Sequence, residues 1–139
     1  MIRLYRDYMS MTRLCAENGR SETELVVDER VINGRRVLHG GALCDLLDSA
    51  IASAVRSALP EDQGAVTASL TVEFLRPVPE GAVVRAVGHV ESLGRTLAFG
   101  RAEAWVGESL VGLAQGTWRV MPRHATRYRA NPEDPKEVT

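Results

Sequence analysis

The chain has 139 residues and a mass of 15.2 kDa, which is one domain's worth. Its composition, 45% hydrophobic and 25% charged, matches soluble globular domains and excludes low-complexity and collagen-like chains. Seventeen Lys and Arg against eighteen Asp and Glu leave a net charge of -1. That is not the basic excess of a duplex-binding domain, so nucleic acid is not an expected partner.

Folding at this length buries roughly two-thirds of the unfolded surface, so neither a disulfide nor a metal staple is required. No apolar run approaches the roughly 20 residues that span a bilayer. The opening Met1-Ile2-Arg3-Leu4-Tyr5-Arg6-Asp7 carries charges where a secretory leader has its apolar stretch. Cys15 and Cys44 are the two cysteines, and the expectation is two reduced thiols in a cytoplasmic protein. His39, His89 and His124 show no ligand spacing, so no metal site is expected, and without a spanning apolar run no membrane partner is expected.

Residues 1–9 read as a short amphipathic helix or arm, with Ile2, Leu4, Tyr5 and Tyr8 as apolar members. Ser10 to Glu17 is ambiguous. Asn18-Gly19 is a two-residue hairpin signal leading into Glu22 to Asp28, which predicts a β-hairpin. Asn33-Gly34 marks a second turn and a loop to Leu38. From about Gly40 to Leu59 one long helix is predicted, because Leu43, Leu46, Leu47, Ala50, Ile51, Ala54, Val55 and Ala58 keep helical spacing until Pro60. Its many Ala and Ser residues would let a sheet approach closely.

Four strand-like runs follow. Ala65 to Leu75 alternates, with Val66, Ala68, Leu70, Val72 and Phe74 on one face and Thr67, Ser69, Thr71 and Glu73 on the other. Pro77-Val78-Pro79-Glu80-Gly81 is read as its turn, and Ala82 to Ser92, Thr96 to Val106 and Ser109 to Val120 complete the set. Short turns imply antiparallel neighbours. The expectation is α+β: a hairpin, one long helix, then a four-stranded meander with the helix on one face. Residues 10–121 form the domain. Residues 122–139, with three prolines and almost no aliphatics, are expected to be a mobile tail or an interface strap.

The stretch that carries chemistry is Asn33 to Asp48, through His39-Gly40-Gly41. A helix N-terminus presents unpaired N–H groups and partial positive charge. Glycine there lets a ligand atom reach the backbone, which suits a carbonyl oxygen gaining negative charge. The two glycines serve a sharp loop-to-helix turn equally well. Asp48 lies more than two turns into an apolar, small-residue helix, where a carboxylate is costly. Its plain alternative is a half-exposed residue at the edge of the apolar stripe. Asp45 is read as facing solvent.

Asn33, His39-Gly40-Gly41 and Asp48 closely resemble the signature of hotdog-fold acyl-CoA thioesterases, in the phenylacetyl-CoA and 4-hydroxybenzoyl-CoA thioesterase group. The resemblance runs from about residue 10 to Met121 and includes Arg95-Thr96-Leu97-Ala98-Phe99. It implies the hotdog fold, a curved antiparallel sheet wrapped around one long central helix. It also implies roles. The Gly40 N–H would polarise the thioester carbonyl, Asn33 would help to position it, and Asp48 would act as base or nucleophile. Thr67 would orient the attacking water. His39 and Gly41 would shape the substrate-binding loop. Some relatives carry a hydroxyl one turn after the acid, where this chain has Ala52. Arg95, Arg76, Arg35 and Arg36 are candidates for the phosphates of coenzyme A, Arg95 first.

In such proteins the acid and the glycine loop come from opposite subunits, which implies a homodimer or a dimer of dimers. Coenzyme A is then part of the substrate and no separate cofactor is expected. Hydration or dehydration of acyl thioesters on the same fold, and a non-catalytic acyl-CoA sensor, stand as alternatives.

Overall fold

The computed structural model describes residues 4–127. In chain order it contains α1 (Tyr5–Tyr8), β1 (Met11–Glu17), β2 (Arg20–Val26), α2 (Gly40–Ala58), β3 (Gln63–Phe74), β4 (Val83–Leu93), β5 (Leu97–Val106) and β6 (Ser109–Pro122), then a 3-10 turn (Arg123–Thr126). The six strands form one antiparallel sheet in the order β1-β2-β4-β5-β6-β3. This is the α+β hotdog architecture, with α2 lying against the inner face of the sheet. The tail expected at 122–139 lies outside the described residues from position 128 onward, as do residues 1–3 of the arm.

The first hairpin turns at Asn18 (φ 49°) and Gly19 (φ 82°), closed by the Glu17–Arg20 pair. Both positions need positive φ, which Asn and Gly tolerate best. Helix α2 ends where Pro60 follows the extended Leu59. Leu46, Leu47, Ile51 and Val55 are completely buried between α2 and the sheet. Each such side chain stabilises the fold by roughly 1.5–3 kcal/mol. At the closest approach, a Cβ on Gly88 would lie 2.3 Å from the Ala50 carbonyl oxygen. Only glycine fits there.

Two expectations need correction. Pairing does not follow chain order, because β3 pairs with β6 and not with β4. The segment between them is a crossing connection rather than a hairpin turn. Its Val78 carbonyl accepts from Leu38 N–H, and Pro79 bridges to Val37, so it is sewn to the loop before α2. Nor does β3 keep one alternation throughout. The register shifts between Thr67 and Ser69, where Ala68 is one residue too many. Ala65 packs on the core before the bulge, and Leu70 and Val72 after it, so the inward phase moves from odd to even positions.

The same device appears on the other edge strand. Strand β1 shifts register between Arg13 and Cys15, which explains why Ser10 to Glu17 shows no clean period. Both edges of the sheet thus carry a bulge where they border the open stripe of α2.

Candidate active site

His39 caps α2 with its own side chain, Nδ1 accepting from the Gly41 N–H at 2.9 Å. The His39 carbonyl accepts from Ala42 (3.0 Å) and Leu43 (3.2 Å). These bonds consume the N–H groups of the first turn except one. The Gly40 N–H has no acceptor among the described residues and opens onto a cleft of about 210 Å³, lined by Leu38, Leu43, Phe74, Arg76 and Val78 among others. A Cβ on Gly40 would meet Phe74 Cε1 at 3.3 Å, so the Phe74 ring forms the near wall.

Asn33 shapes the loop that delivers this cap. Its side-chain oxygen accepts from Arg35 N–H at 2.9 Å and Val37 N–H at 3.4 Å. Its backbone pairs with Val37 and Arg36, and Arg36 adopts φ 60°. This is an Asx-type turn, for which asparagine is well suited.

Asp48 is half-buried in the middle of α2, and its Oδ1 accepts from Thr67 Oγ1 at 2.8 Å. No cation lies within ion-pair distance of its carboxylate among the described residues, and Oδ2 has no donor there. Thr67 reaches inward because it precedes the Ala68 bulge and so shares the core-facing phase of Ala65. Ala52, a turn further on, is buried and offers no hydroxyl. Asp45 does not simply face solvent, because its carboxylate accepts the Tyr5 hydroxyl. That contact pushes the Tyr5 phenol above its usual range, the hydrogen bond to Asp45 acting more strongly than burial.

The predicted residues therefore fall into two groups. Asn33, His39, Gly40 and Gly41 gather at the N-terminus of α2, and Asp48 and Thr67 meet at its middle. Eight residues of helix put about 12 Å between Gly40 and Asp48. Arg95 is exposed in the turn between β4 and β5, which Gly94 N–H closes onto Leu97. The sheet register sets Ala98, Trp118 and Thr67 in one row, so Arg95, three residues before Ala98, sits at Thr67's end of the sheet on a strand two positions away. Arg36 is engaged by Glu80, and Arg76 lines the cleft at Gly40.

A helix-terminal N–H facing a cleft and an unpaired carboxylate held by a hydroxyl, both on the helix of a hotdog sheet, define a protein of the hotdog thioesterase class. The chain belongs to the Thioesterase superfamily, whose family model matches residues 36–113. It is 32% identical over 79 residues to the acyl-coenzyme A thioesterase PaaI of Escherichia coli, covering 57% of this chain and 54% of that one. It is 38% identical over 76 residues to the Caenorhabditis elegans protein F42H10.6, covering 55% of this chain and 44% of that protein. The matches thus span about half the length of these two relatives. Among solved structures, the conserved protein PA5202 of Pseudomonas aeruginosa superposes with a TM-score of 0.82 at 30% identity, over 87% of this chain and 96% of that one. The matched region contains every predicted site residue but Asn33.

Sequence reasoning missed a further cavity. It lies between α1, β1, β2 and α2 and is lined by Arg13, Thr23, Ser49, Ser53 and Arg56 among others. The signal was weak, since these residues come from three elements and share no motif.

Proposed function

We propose that this protein hydrolyses an acyl-CoA thioester to the free acid and coenzyme A, in sites shared between two subunits. The observation that carries the proposal is the separation of about 12 Å along α2 between the free Gly40 N–H and the Asp48–Thr67 pair. A base or nucleophile and an oxyanion donor must both lie about 3 Å from the reacting group. One chain cannot bring its own two halves together.

A second copy can. Strand β3 is the outer edge of the sheet, 12 residues long, with Val66 and Phe74 exposed. Such an edge calls for a covering strand. Two-fold antiparallel pairing of β3 with its copy would continue the sheet across the interface and set the two α2 helices side by side in opposite directions. Gly40 of the partner subunit then comes to Asp48.

In this arrangement Asp48 takes a proton from a water that Thr67 helps to hold, and the water oxygen bonds to the thioester carbon. The carbonyl oxygen gains negative charge towards Gly40 N–H of the partner subunit. The intermediate then expels the CoA sulfur by breaking the C–S bond, and the proton held by Asp48 neutralises the thiolate. In the other route an Asp48 oxygen bonds to the carbonyl carbon, the C–S bond breaks to release the CoA thiolate, and water then splits the resulting Asp48 anhydride into free acid and carboxylate. The two differ in whether an acylated Asp48 forms, which mass spectrometry of rapidly quenched enzyme would detect.

Hydration chemistry on this fold would need a histidine paired with an acid at the site. His89 Nε2 does meet Glu103 Oε1 at 2.9 Å. That pair lies on the side of β4 opposite Gly88, whose inward face meets Ala50, so it points away from α2. His39 is committed as a cap. Release of free thiol from a panel of acyl-CoAs tests the proposal, with Asp48→Asn as control. No release from any member, or a fully active monomer by light scattering, would overturn it.

A further inference from the structure

The cavity bordered by α1 is about 270 Å³. Ser49, Ser53 and Arg56 form one stripe of α2, spaced four and three residues apart. Ser49 follows Asp48 directly and is turned about 100° from it around the helix. Ser49 thus brings one wall of the cavity next to Asp48 along α2, with the cavity towards β1 and β2 and Thr67 on the other edge strand, β3. Met11 and Arg13 reach it from β1, ahead of the bulge, and Thr23 from β2.

The cavity is open at α1, Arg13 and Arg56, and its buried polar residues are Thr23 and Ser53. Thr23 is 3% exposed, and its Oγ1 is buried with no hydrogen-bond partner. Ser53 is 9% exposed. A hydroxyl left in this state costs stability unless something in the cavity meets it. Arg13 and Arg56 have no carboxylate within ion-pair distance among the described residues, whereas Arg6 faces Asp7 at 3.8 Å. Leu4 and the ring of Tyr5 give apolar walls, and the Tyr5 hydroxyl is fixed to Asp45. The cavity thus combines apolar walls with a cluster of hydroxyl and guanidinium donors.

We infer that this cavity receives the far end of the acyl group and favours acyl groups that end in a carboxylate. The inference rests on the thioesterase reading, because a carbonyl held at Asp48 fixes which end of the substrate enters. Arginine matches a carboxylate with a planar fork of donors, and the Thr23 and Ser53 hydroxyls can donate to it from within. A hydrocarbon end would strip water from the two guanidinium groups and leave the Thr23 hydroxyl unpartnered. Arg13 and Arg56 also border a neighbouring groove with Arg123, so a phosphate of coenzyme A is the other anion that could meet them.

The test uses two non-hydrolysable thioethers, S-hexyl-CoA and S-(5-carboxypentyl)-CoA, titrated calorimetrically into the intact protein. The carboxylated analogue is expected to bind at least about tenfold tighter. In Arg13→Met/Arg56→Met the ratio falls towards one. In the near-isosteric Thr23→Val it falls several-fold while Tm holds or rises, since an unpartnered hydroxyl is removed. A wild-type ratio near or below one overturns the inference. So does equal weakening of both analogues in the arginine variant, which assigns the arginines to coenzyme A phosphates. Hydrolysis of adipyl-CoA and hexanoyl-CoA is followed in parallel. Selective binding with no hydrolysis of any acyl-CoA would contradict the thioesterase reading while supporting the cavity's preference.

Discussion

Thr67 donates its hydroxyl hydrogen to Asp48 Oδ1 across 2.8 Å, tying the edge strand to the middle of the helix. The contact exists because of one extra residue. The Ala68 bulge puts Thr67 in the inward phase of Ala65, while Leu70 and Val72 resume inward packing beyond it. A strict alternation would turn either Thr67 or Leu70 towards the helix, not both. Bulges beside active sites commonly re-aim a side chain in this way.

Asp48→Asn keeps the shape and an acceptor for Thr67 but removes the charge that takes a proton or attacks. Turnover should fall by about 100- to 10000-fold, the range for losing general acid–base help. Binding of a thioether analogue should change little. Tm should hold or rise, because a half-buried charge becomes a neutral amide. Near-normal turnover with a lower Tm would make Asp48 structural.

Thr67 is separable from Asp48 by its hydroxyl alone. Thr67→Val removes one hydrogen bond to a carboxylate, worth about 1.5–3 kcal/mol, and kcat should drop roughly ten- to 100-fold with little change in KM. Thr67→Ser should restore most of it. Activity kept in Thr67→Val but lost in Thr67→Ser would show that the methyl group, and therefore packing, matters instead.

Two glycines on the same sheet–helix unit should behave oppositely. Gly40→Val meets only the edge of the exposed Phe74 ring, at 3.3 Å, so the protein should fold. Its turnover should drop about 100- to 1000-fold, as for loss of an oxyanion donor. Gly88→Ala places a methyl 2.3 Å from the Ala50 carbonyl oxygen and 2.8 Å from Ser21 Oγ. It should cost about 1–3 kcal/mol or more of stability as overpacking, read as a lower Tm. A stable Gly88→Ala protein would contradict the helix position described.

The two thiols should differ in reactivity. Burial, with a smaller effect from the Asp45 charge, pushes the Cys44 thiol above its usual range, so its thiolate forms only at higher pH. Cys15 is exposed. At pH 8 a thiol reagent should modify Cys15 quickly and Cys44 slowly, the latter gaining rate as pH rises further. Mass mapping of the labelled peptides checks the order.

Much of this was legible in the sequence. The Asn18-Gly19 turn, the 19-residue helix α2 and the four strands after it were set by local signals of spacing and punctuation. Strand pairing was not, because which strands meet depends on long-range contacts. The segment from Leu75 to Ala82 holds two prolines and is too long for a tight hairpin. It reads as a turn until the pairing of β3 with β6 is known. The two bulges were hidden for a related reason. An inserted residue shifts the inward phase without changing composition, so Leu70 and Val72 looked continuous with Val66. The glycine cap and Asp48 carried a recognisable motif. Thr23, whose neighbours come from other elements, carried none.

The central claim is that each site takes Asp48 from one subunit and Gly40 from the other. Gly40→Val and Asp48→Asn are each expected to be nearly inactive. Unfolding the two together and refolding them as a mixture tests the claim directly. In a mixed dimer one site pairs the intact Asp48 of one chain with the intact Gly40 of the other. Random pairing makes half the dimers mixed and one site in two intact, so about a quarter of wild-type activity should return. Activity no greater than that of the separately refolded variants would contradict the shared site.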